Sequence, residues 1–267
     1  MKFSVVMSVY IKDNDFFLQK SLESLVLQTL LPDEIILVAD GALKNSLYKV
    51  ISNYRHRYDF IKFISYEENK GPAYAWNIAI ENSRNDWIAR MDADDICEID
   101  RFEKQVYFLK NNPKVQLLGG HISEFYSDDS ISIGIKRAPI GSDSIIKFSK
   151  KRNPFNHVTV MFRKDLWADS GKYIQISGFV DYYLWIRVLS QNTFVANLDT
   201  PLVKVRVGND MFGRRVGWGY LKNEIKFMYS SYEIGYISFY QMLKNLAART
   251  PLRLLPTSIV EILYKLR

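Results

Sequence analysis

The chain has 267 residues, 48% of them apolar, so it is long enough for one large α/β domain with additions or for two small domains, and global disorder is excluded. A single cysteine, Cys97, excludes an intramolecular disulfide and fits a reducing compartment. The formal net charge of +7 suits nucleic acid, an anionic bilayer surface or a phosphate-bearing substrate, and does not choose between them. No run of about 18 apolar residues offers a membrane span, and no signal peptide is expected, because Met1 leads straight into an apolar strand pattern with no cleavage site.

In chain order, residues 3–10 (FSVVMSVY) read as a buried parallel strand. Asp13, Asn14 and Asp15 are N-cap candidates for a helix reaching about Gln28, with Leu18, Leu22, Leu25 and Val26 at helical spacing. A turn at Pro32-Asp33 precedes a second strand, Glu34–Ala39, which ends at Asp40-Gly41. Residues 43–57 read as a helix and 60–66 as a third strand. A loop at Asn69-Lys70-Gly71-Pro72 then opens a helix over 73–82, with Pro72 near its first position. The β-α-β-α-β-α-β order predicts an open, mostly parallel sheet covered by helices. Ligands of such sheets collect at the carboxyl ends of the strands.

The fourth strand, Trp87–Met91, runs into Asp92, Asp94 and Asp95. Three carboxylates so close together are unfavourable unless a cation or a set of donors compensates them. Hard cations such as Mg²⁺ and Mn²⁺ take carboxylate oxygens together with substrate phosphates, whereas an acidic turn exposed to solvent would carry the same residues. There is no Gly-X-Gly-X-X-Gly after the first strand and no Gly-Lys-Ser/Thr loop, so neither a Rossmann dinucleotide site nor a P-loop is supported. Further on, a helix is expected over 99–109 and a strand over 116–122, with a hairpin or variable loop at 126–135. A strand over 158–162 follows His157. Asp181 opens a helix with Leu184, Trp185 and Val188 on one face, where an ordinary helix cap would also place an acid. Pro201–Val207 reads as a strand leading into a Gly-rich basic loop that contains Arg214 and Arg215. From Trp218 the chain is expected to be helical, and residues 236–267, with Lys244, Arg249, Arg253, Lys265 and Arg267, suit either an anionic membrane surface or packing on the domain.

The motifs SVVMSVY, Ala39-Asp40-Gly41, NKGPAYAWNIAI and DWIARMDADD, in this order, resemble the inverting family 2 glycosyltransferases of GT-A type. The later segment RVGNDMFGRR resembles the bacterial exopolysaccharide and O-antigen members, of the amylovoran or colanic acid type. The resemblance spans residues 3 to about 215 and implies a GT-A nucleotide-diphospho-sugar transferase fold with a helical C-terminal extension. It divides the chain into a nucleotide-sugar half (1–97), an acceptor half (98–217) and the extension (218–267). It further implies a UDP-sugar donor, a lipid-diphosphate-linked sugar acceptor, Mn²⁺ or Mg²⁺, and a cytoplasmic enzyme peripheral on the inner membrane that binds no nucleic acid. By position, Ser8, Asp40, Lys70, Asp92 and Asp94 would contact the nucleotide-sugar, and Asp94 and Asp95 the metal. His157, Arg214 and Arg215 would face the acceptor or a diphosphate. The segment Val180-Asp181-Tyr182-Tyr183-Leu184-Trp185 resembles the family's Glu-Asp-Tyr-X-Leu-Trp motif, which makes Asp181 the catalytic base. Two departures are Val180 in place of the first acid, and Gly208 where many relatives carry a histidine. A sugar-nucleotide nucleotidyltransferase is the enzymatic alternative, but Tyr10-Ile11-Lys12-Asp13 is not the Gly-rich basic loop it requires. A basic nucleic-acid-binding module is the alternative of another class. It requires a basic stripe with interleaved aromatics, whereas the positive charge here is dispersed.

Overall fold

A computed structural model describes residues 1–208 and 215–255. The first half of the chain folds as expected. Strand β1 (Ser4–Val9) leads to α1 (Asp15–Val26), which Asn14 caps by accepting from the Phe17 amide at 3.2 Å. Strand β2 (Glu34–Asp40), α2 (Asn45–Arg57), β3 (Ile61–Tyr66), α3 (Pro72–Glu81) and β4 (Trp87–Arg90) follow. These four strands pair in parallel in the order β3-β2-β1-β4, each joined to the next through a helix, the crossover that parallel pairing requires. β2 is buried along its whole length, because helices cover both faces of the sheet.

The second half adds β5 (Ile96–Cys97), α4 (Arg101–Asn111), β6 (Leu117–Phe125), β7 (Gly134–Lys136), α5 (Ser142–Ser149), β8 (Met161–Arg163), α6 (Lys164–Asp169), α7 (Val180–Leu189) and β9 (Val195–Arg206). The sheet continues from β4 through β8, β6 and β9 to β5, with β7 paired to β6. Here β8 is antiparallel to both β4 and β6, and β6 and β9 are parallel. Three expectations shift. The strand expected over 158–162 is only Met161–Arg163, because residues 157–159 form a 3-10 turn in which both the amide and the hydroxyl of Thr159 donate to the Asn156 carbonyl. The strand expected over 116–122 continues to Phe125 through Gly119 and Gly120. A Cβ would lie 2.3 Å from Asn197 Oδ1 at the first glycine and 2.5 Å from Leu202 Cδ1 at the second. The strand expected over 201–207 starts at Val195 and tolerates Pro201 because the β6–β9 register shifts beside it, at His121.

Helices α8 (Gly217–Glu233) and α9 (Phe239–Leu254) pack against α7. Phe227, Met228, Ile237 and Met242 join Phe179, Tyr182 and Ile186 in one apolar cluster, with the Phe179 and Phe227 rings stacked at 4.7 Å. Beside it lies a fully buried acid, Glu224, which takes Arg249 Nη1 at 2.5 Å and Arg253 Nε at 2.7 Å. Breaking a buried pair is costly because one partner keeps an uncompensated charge, yet both arginines here still reach solvent. Glu224→Ala is therefore expected to destabilise the fold by about 3 kcal/mol, measured as a fall in the urea midpoint at unchanged slope. Of the two roles open to the basic residues of 236–267, membrane contact or packing on the domain, Arg249 and Arg253 take the second. Among the described residues no helix is long and apolar enough to cross a membrane.

Candidate active site

The acids of the sequence motif gather at the carboxyl ends of β4 and β2. Beneath Asp92 lies Arg90, only 1% exposed, whose Nη2 donates to Asp92 Oδ1 at 2.6 Å and whose Nη1 caps the Val6 and Met91 carbonyls. A second buried guanidinium, that of Arg101, donates to the Arg90 carbonyl at 2.9 Å. Asp95 is buried and accepts from the Arg206 amide at 2.9 Å. Burial, reinforced by the charges of Asp94 and Asp92, pushes its carboxyl well above the ordinary range. Asp13 joins this group: burial, with added repulsion from Asp94 and Asp92, raises its carboxyl to about 7. Four carboxylates thus share one field, partly offset by Arg90 and Arg206.

On the β2 side, Asp40 is buried and its oxygens hold the following loop. They accept from Tyr66 Oη at 2.9 Å, Asn69 Nδ2 at 3.0 Å, and the Lys70 and Gly71 amides at 2.8 and 3.3 Å. Gly71 there has φ +87°, a conformation that glycine adopts without strain. The Lys70 ammonium lies 4.9 Å from the Tyr74 ring centre and 5.9 Å from that of Tyr66. Ser8, at the end of β1, accepts from Trp76 Nε1 at 3.0 Å, and the Arg90 guanidinium lies 4.4 Å from the Trp76 ring centre.

Asp181 stands in the first turn of α7, where its Oδ2 accepts from Asn153 Nδ2 at 2.7 Å. Burial raises its carboxyl above the ordinary range, and the Asn153 hydrogen bond and the Lys136 charge pull against that rise. The buried Tyr173 hydroxyl senses both groups of acids. Burial raises its pKa, Arg90 opposes the rise, and the charges of Asp181 and Asp92 both add to it. Tyr173 is thus within electrostatic reach of both Asp181 and Asp92, and its ring packs 5.2 Å from Trp76 and 6.3 Å from Trp185, forming an aromatic wall. His157 completes the wall. Its Nε2 is 3.0 Å from Tyr173 Oη, and its ring sits 4.5 Å from Trp76 and 6.0 Å from Trp185. Burial and the nearby Arg90 hold its pKa well below the ordinary histidine value, so the imidazole is neutral at pH 7. Arg215 falls just before α8, where its carbonyl accepts from Arg253 Nη1 at 3.3 Å, and Arg214 lies outside the described residues.

Sequence reasoning missed Arg90, Trp76, Tyr173, Asn153 and the acidic role of Asp13. Only Arg90 carried a signal, as a charge inside an apolar strand. Among the described residues no group of three or more His, Cys, Asp or Glu side chains converges as a ready-made metal cage. The donors available are all carboxylate oxygens, the hard ligands that suit Mg²⁺ or Mn²⁺, and a diphosphate-bound ion of that kind needs only one or two of them from the protein. The group fits the site on those terms.

A sheet whose first half is parallel and whose second half is mixed, with an acid cluster at its strand ends, defines a GT-A type glycosyltransferase. Two solved structures share this fold. They are Staphylococcus aureus TarS 1–349 in complex with UDP-GlcNAc (TM-score 0.67, 16% identity, 86% of this chain and 66% of that one) and the mannosyltransferase PcManGT of Pyrobaculum calidifontis in complex with GDP-Man and Mn²⁺ (TM-score 0.67, 12% identity, 99% and 79%). Residues 4–168 match the model of glycosyl transferase family 2, and the chain belongs to that family. Similar relatives include the amylovoran biosynthesis glycosyltransferase AmsE of Erwinia amylovora (37% identity, covering 98% of each chain). Another is the UDP-Gal:α-D-GlcNAc-diphosphoundecaprenol β-1,3-galactosyltransferase of Escherichia coli (37% identity, 99% of this chain and 95% of the relative). An uncharacterized glycosyltransferase of Haemophilus influenzae is 40% identical over 99% of this chain.

Proposed function

We propose that the enzyme transfers a hexose, glucose or galactose, from a UDP-sugar to a sugar carried on a polyprenyl diphosphate, with inversion at C1, during assembly of a bacterial O-antigen or exopolysaccharide. The observation that carries this reading is the group of acids at the end of β4, where Arg90 Nη2 holds Asp92 Oδ1 at 2.6 Å and buried Asp95 stands under the charges of Asp94 and Asp92. The activity for which the Escherichia coli relative is named, with similarity over nearly the full length of both chains, supports the donor and acceptor classes.

In this reading Asp181 accepts the proton of the acceptor hydroxyl as that oxygen bonds to C1. The bond from C1 to the diphosphate oxygen breaks, and its electron pair leaves with UDP. A Mg²⁺ or Mn²⁺ ion held by Asp94, with Asp95 behind it, would supply charge stabilisation to the diphosphate. Asp92, one oxygen fixed by Arg90, offers the other to the ribose. Ser8 and the loop held by Asp40, which carries Lys70, form the uridine side. Neutral His157 lines the acceptor side, and Arg214 and Arg215 are the candidate grips on a diphosphate.

The enzyme works at the cytoplasmic face of the inner membrane in this reading. Its contact surface is the outer face of α8 and α9, where Trp218 (75% exposed), Ile225, Tyr229 and Tyr240 (72%) are accompanied by Lys222, Lys226 and Lys244. Replacing Trp218 and Tyr240 together by Ala is expected to lower co-sedimentation with vesicles containing phosphatidylglycerol, and unchanged sedimentation defeats this surface. The function itself is tested with UDP-galactose and UDP-glucose, Mn²⁺ and a synthetic GlcNAc-diphosphate-lipid, with EDTA as control. Transfer that EDTA abolishes is expected. Binding of GDP in preference to UDP, or salt-sensitive binding of RNA without affinity for UDP, defeats the reading.

A further inference from the structure

We propose that Asn153 is the positioning residue of the Asp181 base, and that the C-terminal helices act on catalysis by bracing the turn that carries it. This rests on the reading of Asp181 as base. The turn at 149–153 leaves α5 and ends 2.7 Å from the Asp181 carboxylate, at Asn153 Nδ2. The Asn153 amide cannot be reversed without loss, because its Oδ1 accepts from the Phe155 amide at 3.3 Å. A flipped group would set two donors against each other there and an oxygen against the carboxylate. Asp181 Oδ2 is thus held by a fixed side-chain donor.

The Lys151 and Arg152 amides close the turn on the Phe148 carbonyl, and three successive carbonyls ahead of Asn153 are held from outside. Tyr182 Oη, on α7, donates to Ser149 at 2.6 Å. Asn245 Nδ2, on α9, donates to Lys150 at 2.8 Å. Arg249 Nη2, also on α9, donates to Lys151, while its Nη1 is anchored on buried Glu224 at 2.5 Å. The extension therefore grips the turn from one side and α7, which carries Asp181, from the other. An error of about 1 Å in a positioned group is enough to cost about 10²-fold in rate, so such a brace has a catalytic consequence as well as a stabilising one.

The charged and titratable groups around Asp181 are Lys136 on β7, Tyr173 ahead of α7 and Tyr182 beside it. Removing the Asn153 donor leaves these in place and takes away one group that favours the charged carboxylate. The test compares Asn153→Ala, Asn153→Ser and Asn245→Ala in the full chain, with UDP-galactose and the GlcNAc-diphosphate-lipid, alongside ¹³C titration of labelled aspartate assigned with Asp181→Asn. Asn153→Ala is expected to lower kcat by roughly 10- to 100-fold at unchanged donor KM, to move the acid limb of the rate profile to higher pH, and to raise the Asp181 titration. Asn153→Ser, which restores a donor, is expected to recover part of each. Asn245→Ala is expected to lower kcat several-fold, beyond any change in melting temperature. Wild-type kcat or an unmoved Asp181 titration in Asn153→Ala overturns the Asn153 assignment, and an Asn245→Ala variant that only melts earlier overturns the brace. If Asp181→Asn keeps full turnover, the base reading fails instead, while the titration still decides whether Asn153 sets the Asp181 carboxyl.

Discussion

Replacing Asp181 by Asn is expected to lower kcat by about 10²–10⁴-fold, the usual contribution of a positioned general base, while the affinity for UDP stays within about twofold. The substitution keeps the size of the side chain and removes only its capacity to take a proton. The fold has little reason to object, since the native carboxyl is already raised by burial and the neutral amide carries no desolvation cost of that kind. The sign of the pH dependence follows. A base works only when ionised, and its pKa lies above the ordinary carboxylate range, so kcat/KM falls as pH drops through that raised value. The acid limb therefore stands at higher pH than an unperturbed aspartate would give. Turnover in Asp181→Asn within a few-fold of the native enzyme removes this residue from the role.

Asp94→Asn is expected to lower kcat by about 10²–10³-fold and to weaken the dependence on Mn²⁺. The acid cluster is built at an electrostatic cost. Asp94 raises the carboxyl of Asp95 and contributes to the rise at Asp13. A divalent ion with a diphosphate relieves that cost, so the same substitution is expected to stabilise the metal-free protein while destroying the site. A melting temperature that rises in EDTA, together with a lost Mn²⁺-dependent increment, is the combined signature. A fall in turnover without any change in metal response would assign Asp94 to packing instead.

Local pattern carried much of this protein. The apolar runs at 3–10 and 34–39 and the Pro72 helix start predicted the parallel edge of the sheet, because strand burial and helix capping are set by neighbours in the chain. The places where pattern misled were places of long-range contact. Val158 and Thr159 have strand-forming side chains but close a turn on Asn156. Gly119 and Gly120 look like a strand end, yet they sit mid-strand, because Asn197 and Leu202 from β9 press against them. Glu224 falls on the buried stripe of α8, where sequence alone would expect an apolar residue, and it draws Arg249 and Arg253 into packing on the domain, one of the two roles the sequence left open.

By itself the sequence determined that acids stand at the ends of buried strands and that a lone aspartate opens a later helix, since strand and helix periodicity fix where each side chain leaves its element. Only the tertiary structure decided that Arg90 lies under Asp92, that Tyr173 meets His157 and Trp76, and that α9 reaches the turn holding Asn153 against Asp181. Such meetings depend on strand order and on the packing of helices distant in sequence. Periodicity reports which face of an element is buried, and it carries no information about the partner that buries it.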